Sequence, residues 1–170
     1  MFLTINLIKK GHLNMQIIEK HQDLFQEKNN TVIGHCVSLD DNLAMGIAKQ
    51  FKKNYPEYAY YFFSKSYQGQ LKIGTADLFL DQKHNTIIFS LINKSHYSSK
   101  PRLKQMKLCL IDLRNKMVEN NLSIINLPKI GAGIDYKGFA STQNKAWKII
   151  KKTIEEVFQN TSITIIINKK

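Results

Sequence analysis

The run Ile124-Ile-Asn-Leu-Pro-Lys-Ile-Gly-Ala-Gly-Ile-Asp135 constrains the fold more than any other stretch of the chain. Ile124, Ile125 and Leu127 read as a buried strand, and Pro128 ends it because proline has no N–H to give a ladder. Gly131 and Gly133 then free the backbone to take positive φ or to press amide donors against a ligand. In an open α/β sheet such a loop lies at the carboxyl end of its strand, where ligands bind, and Asp135 would stand at the rim. The same run also fits an ordinary turn between a strand and the next element.

Elsewhere strand and helix patterns alternate. Apolar runs at 3–9 and 15–19, separated by Gly11, suggest two strands or a hairpin, with residues 1–14 an extension on a domain spanning 15–170. Thr31–Val37 reads as a strand. A helix follows, with Ala44, Ala48, Phe51 and Tyr55 on one side, Asp41 or Asn42 as its cap and Gly46 marking close packing or a ligand. Tyr60, Tyr61, Phe62 and Phe63 fit core or an adenine platform. Ala76–Leu80 and Thr86–Ile92 read as strands, the second ending in Asn93-Lys94-Ser95-His96. From Pro101, placed in the first turn, Leu103, Met106, Leu110, Leu113 and Met117 mark an amphipathic helix. Tyr136–Asn144 reads as a polar, flexible loop, Trp147 to Phe158 as a helix and Ser162–Ile167 as the last strand. This alternation predicts an α/β sandwich with helices on both faces.

The length of 170 residues, 43% apolar, suits one domain with a sizeable core. No stretch reads as a membrane span or secretory leader, and Cys36 and Cys109 read as buried thiols of a reducing compartment, so the expected location is cytoplasmic. A net charge of +12 should draw phosphates, nucleotides or nucleic acid. Walker A, HExxH and zinc-finger spacings are missing from the sequence.

Five stretches together resemble the macro domains, and within them the terminal ADP-ribose protein glycohydrolases. They are Ile18-Glu-Lys-His-Gln-Asp-Leu-Phe25; His35-Cys-Val-Ser38 with Ala44–Lys53; Leu91-Ile-Asn-Lys94 with Ser98 and Lys100-Pro101; Leu127–Asp135; and Trp147 through Phe158. Three departures stand out: Ala44-Met-Gly46 where the family has a glycine-rich GAG, Gln22 where a glycine often precedes the aspartate, and a longer Asp135–Trp147 stretch. Asn168 stands where relatives carry an aromatic near the adenine.

The resemblance implies a three-layer α/β/α fold around a central mixed sheet, and an enzyme that frees ADP-ribose from acidic side-chain esters and deacetylates O-acetyl-ADP-ribose. Lys94 would attack C1 of the distal ribose and Asp135 would assist the proton steps. Asp23 and Leu24 would meet the adenine, His35 and Ser38 the distal ribose, and Met45, Gly46 and Ile47, at the helix start, the diphosphate. Ser98 would also contact the substrate, and Pro128, Ile130, Gly131, Ala132, Gly133 and Ile134 would lie around the diphosphate. The chemistry needs no cofactor or metal. The implied partner of this monomer is ADP-ribose or an ADP-ribosylated protein, with ADP-ribosylated nucleic acid and a binding module without catalysis as alternatives. His96 reads as peripheral, and Cys36 as buried rather than nucleophilic.

Overall fold

A computed structural model describes residues 14–169; the expected strand at 3–9 lies outside them. Its elements are β1 (Gln16–Lys20), β2 (Val32–Ser38), α1 (Gly46–Asn54), α2 (Pro56–Tyr67), β3 (Thr75–Asp81), β4 (Thr86–Lys94), α3 (Leu103–Glu119), β5 (Ile124–Pro128), a 3-10 turn (Ile134–Gly138), α4 (Gln143–Phe158) and β6 (Thr164–Asn168). The strands form one sheet in the order β1-β6-β5-β2-β4-β3. All neighbours are parallel except β3 and β4, so the sheet is mixed.

Strand alternation builds a core on each face. Phe89 and Leu91 of β4, Ile125 and Leu127 of β5, and Ile165 and Ile167 of β6 pack with α3 and α4. Ile33 and Val37 of β2, with Ile88 and Ile92 of β4, pack with Phe51, Tyr58 and Phe62 of α1 and α2. The result is the expected three-layer α/β/α sandwich.

The layering also positions the site. β2 and β5 are neighbours, yet β2 leads to α1 on one face while the segment after β5 leads to α4 on the other. Chain leaving two adjacent parallel strands toward opposite faces opens a crevice at their carboxyl ends. The β2–β5 ladder is correspondingly thin, with Ile33 opposite Asn126.

Several local expectations are corrected. Asp41 and Asn42 do not cap α1: their side chains accept from the amides of Leu43 (2.7 Å) and Ala44 (3.1 Å), making the turn before the helix, and Met45 is the N-cap. Buried Leu43 holds φ +51 in that turn. Pro101 precedes the N-cap of α3 rather than entering its first turn, and the face of α3 is completed by buried Cys109, while Leu103 is exposed. Of the aromatic run, Phe62 is core and Tyr60 is exposed. Part of the expected loop after Asp135 is the 3-10 turn.

Candidate functional site

β4 carries Lys94 to the crevice, and the 3-10 turn after β5 brings Asp135 to meet it. The Lys94 ammonium donates to Asp135 Oδ1 at 2.8 Å and to the Tyr97 carbonyl at 2.9 Å. The lysine side chain is only 10% exposed and the aspartate 27%, so the pair is sheltered but open to a ligand.

A strap, residues 95–100, closes over the lysine, and Asp40 anchors it. Asp40 Oδ1 accepts from the Tyr97 amide (2.8 Å) and the Ser38 hydroxyl (2.9 Å), and its Oδ2 lies 3.1 Å from His96 Nε2. The Ser98 amide donates to His96 Nδ1, which leaves the Nε2–H facing Asp40. His96 thus holds the strap and is exposed. Ser98 bonds to His96 rather than to Lys94.

The glycine loop lies opposite the start of α1. Gly131 takes φ +72, and a side chain there would press on Phe139 and Ile150. Gly133 has open space around its Cα, and Gly46, at φ +57, faces the Ile134 side chain across the crevice. No side chain caps α1, so its first-turn amides point outward as an anion site does. Ile130 and Ala132 bury their side chains in the α3/α4 core, and their amides donate within the loop to the carbonyls of Pro128 (2.7 Å) and Lys129 (3.2 Å). Exposed Met45 and Ile134 make an apolar rim.

From that loop a cleft of about 400 Å³ runs to the ends of β1 and β6. Asp23, Leu24, Ile47 and Pro128 line it, and Asp23 Oδ1 accepts from the Phe25 amide at 3.0 Å. Gln22, Phe25, Gln50, Lys129, Asn168 and Lys169 complete it. Two of these are cations held in place: Lys129 lies over the Trp147 ring and Lys169 pairs with Glu19, which also accepts from Trp147 Nε1 at 3.0 Å. The Lys169 ammonium, foremost, holds the Glu19 carboxyl below its usual range.

Two of the residues expected at the ligand have buried side chains. His35 is wholly buried beneath α1, its ring stacked 3.8 Å from Phe51 and its Nε2 2.7 Å from the Tyr58 hydroxyl. Burial pushes its pKa down to about 3, so it is a neutral core residue. Ser38 is also buried, its hydroxyl given to Asp40. Burial pushes the Cys36 thiol well up, with Cys109 and Asp135 adding to the effect against Lys94, which opposes a nucleophilic role.

No family model matches the chain. The human ADP-ribose glycohydrolase OARD1 is 27% identical over 143 residues, covering 84% of each protein. Among solved structures, the macrodomain of Mycobacterium tuberculosis DarG superposes with a TM-score of 0.77 at 22% identity, over 92% of this chain and all of that one. The chain has the macro-domain fold. Thermosipho africanus DarTG, solved in complex with ADP-ribose, matches with a TM-score of 0.76 at 15% identity, over 90% of this chain and 41% of that one. The solved structures show likeness of fold, and OARD1 adds likeness of sequence.

Proposed function

We propose that this macro domain is an ADP-ribosyl hydrolase that releases ADP-ribose from carboxylate esters, with Lys94 as nucleophile and Asp135 as the group that moves protons. The observation carrying the reading is the 2.8 Å contact between the two, made by residues 41 apart in sequence, one at the end of β4 and one in the turn after β5. An ammonium cannot attack, and the carboxylate against it is placed to take its proton. The freed amine bonds to C1 of the distal ribose, and the C1–O bond breaks with its electron pair leaving on the target's carboxylate. Ring opening gives an imine, which water hydrolyses to ADP-ribose and the free lysine. O-acetyl-ADP-ribose offers the same ester in small form.

The remaining parts of the ligand have partners in the same crevice. The amides around Gly131, Gly133 and the start of α1 suit the diphosphate without a metal. Asp23 and Asn168 are placed at the end that would take the adenine. Lys129 and Lys169 add positive field there.

A second reading, removal of ADP-ribose from modified nucleic-acid bases, is favoured by the +12 charge. A panel of glutamate-linked, serine-linked, base-linked and acetylated ADP-ribose tests both. The proposal expects turnover of glutamate-linked and acetylated forms, abolished in Lys94→Ala while ADP-ribose still binds. Turnover of base-linked substrate alone would replace it with the second reading. Binding with no turnover on any linkage would make the chain a binding module and sink both.

A further inference from the structure

Lys94 and its neighbour Asn93 both line a cavity at the end of β4. Asn93 is the extra residue where the β2–β4 ladder is irregular, since Val37 pairs with Ile92 and Ser38 with Lys94. It is 1% exposed, and neither its Oδ1 nor its Nδ2 has a hydrogen-bond partner. Gln105, in the first turn of α3, likewise has a buried Oε1 with no partner. Buried amides left open at both ends are uncommon because each lost bond is costly, so such a group points to something that fills the place.

Asn93 and Gln105 line one cavity of about 210 Å³, with Lys94, Ser95, Lys100 and Arg102 on its wall. It shares no lining residue with the 400 Å³ cleft, and among the described residues no carboxylate lines it. The start of α3 borders it. Arg102, the N-cap, offers no side-chain bond, and the helix's first backbone bond runs from the Met106 amide to the Arg102 carbonyl. The amides of residues 103–105 therefore have no acceptor within the helix and add their positive end to three cationic side chains.

We propose that this cavity is a second ligand site, taking a phosphate group that still carries a proton: free phosphate or a phosphate monoester. Its oxygens accept from Asn93 Nδ2, Lys100, Arg102 and the first-turn amides of α3. Its hydroxyl donates to Asn93 Oδ1 or Gln105 Oε1, acceptors that an anion alone leaves unsatisfied. That requirement disfavours sulfate and phosphodiesters, which have no proton to give at neutral pH. An occupied cavity also sets negative charge beside Lys94, in competition with Asp135 for its ammonium.

Amide NMR on the full chain tests this. Inorganic phosphate, a simple alkyl phosphate, sulfate and chloride are titrated at equal ionic strength, reading the Asn93 side-chain NH₂ and the backbone amides of residues 103–105. Saturable shifts with phosphate or the alkyl ester are expected, the tighter of the two naming the source, with sulfate about tenfold weaker. The double variant Lys100→Ala/Arg102→Ala should weaken phosphate about tenfold with an unchanged melting temperature, since both side chains are exposed. Saturating ADP-ribose should leave the phosphate shifts in place. A response to chloride equal to that to phosphate, or none at all, would overturn the site. Sulfate binding as tightly as phosphate would overturn the role of the two acceptors. Displacement by ADP-ribose would overturn its separateness.

Discussion

Gly138→Ala is the substitution that best separates packing from chemistry at the Lys94–Asp135 pair. Gly138 ends the 3-10 turn that carries Asp135, and it lies against Pro101, just beyond the strap over Lys94. A methyl at Gly138 would fall inside contact distance of the Pro101 carbonyl oxygen, and 2.9 and 3.0 Å from its ring Cδ and Cγ. Pro101 is buried, and neither a carbonyl nor a proline ring can swing aside as a flexible side chain does. The Cδ approach alone is roughly half an ångström short of ordinary carbon contact, so the two segments must part. Overpacking of this kind costs about 1–3 kcal/mol. In a chain of this length that lowers the melting temperature by roughly 2–4 °C per kcal/mol. The parting also draws Asp135 from Lys94, and a misplacement near 1 Å costs on the order of 10² in rate. Trp147, the single tryptophan, reports unfolding by fluorescence, and a glutamate-linked ADP-ribosyl peptide reports turnover. Gly133→Ala is the control, because its methyl meets nothing within 4 Å, and its stability should stay within about 0.5 kcal/mol of wild type. Gly138→Ala with wild-type melting and turnover, or Gly133→Ala equally unstable, would refute the reasoning.

Other substitutions probe the remaining parts. Asp135→Ala should reduce turnover at least about 10²-fold while unfolding free energy falls by about 1 kcal/mol or less, because the pair is partly exposed and at the rim; comparable losses in both would defeat the assignment. Gly131→Ala combines φ +72 with a Cβ 2.9 Å from Phe139 Cε2, so chemical denaturation should show a loss of about 2–4 kcal/mol. For His35, burial holds the folded pKa at about 3. The unfolded chain takes up this proton first, near pH 6.5, so the stability from the neutral ring is complete above that pH and is lost as pH falls toward 3. Unfolding free energies should therefore drop more steeply on acidification for wild type than for His35→Gln, by up to about 1.4 kcal/mol per pH unit, and parallel curves would contradict it.

The layers of the fold were legible because periodicity reports burial directly. Ile125 and Leu127, the Met106–Met117 face and the Trp147–Phe158 face all went to the core expected of them. Leu103 misled because its spacing fits the face while the core ends one turn further along α3. His35 misled for a different reason. A polar residue in a strand usually marks a solvent face, but β2 lies between β5 and β4 with helices on both sides, and Phe51 and Tyr58 give the imidazole a stacked, hydrogen-bonded seat.

The site divides along the same line. Glycine spacing marked the loop at Gly131 and Gly133, but the pairing of Lys94 with Asp135 came from family resemblance, since no local pattern links residues 41 apart. Asp40 carried only a faint signal, as the first of an acidic pair after a strand, and nothing local marks it as the anchor of the strap. Lys129 and Lys169 had none, because each sits just past its strand and meets the other only through the ladder of β5 and β6.

Trapping the adduct tests the central claim most directly. The protein is mixed with ADP-ribose and a mild hydride reductant, which converts an imine to a stable secondary amine, and is then weighed intact and mapped by peptide. The account predicts one ADP-ribose per chain, carried on Lys94 and lost in Lys94→Ala. An adduct on a different lysine, or none while glutamate-linked substrate is turned over, would contradict it.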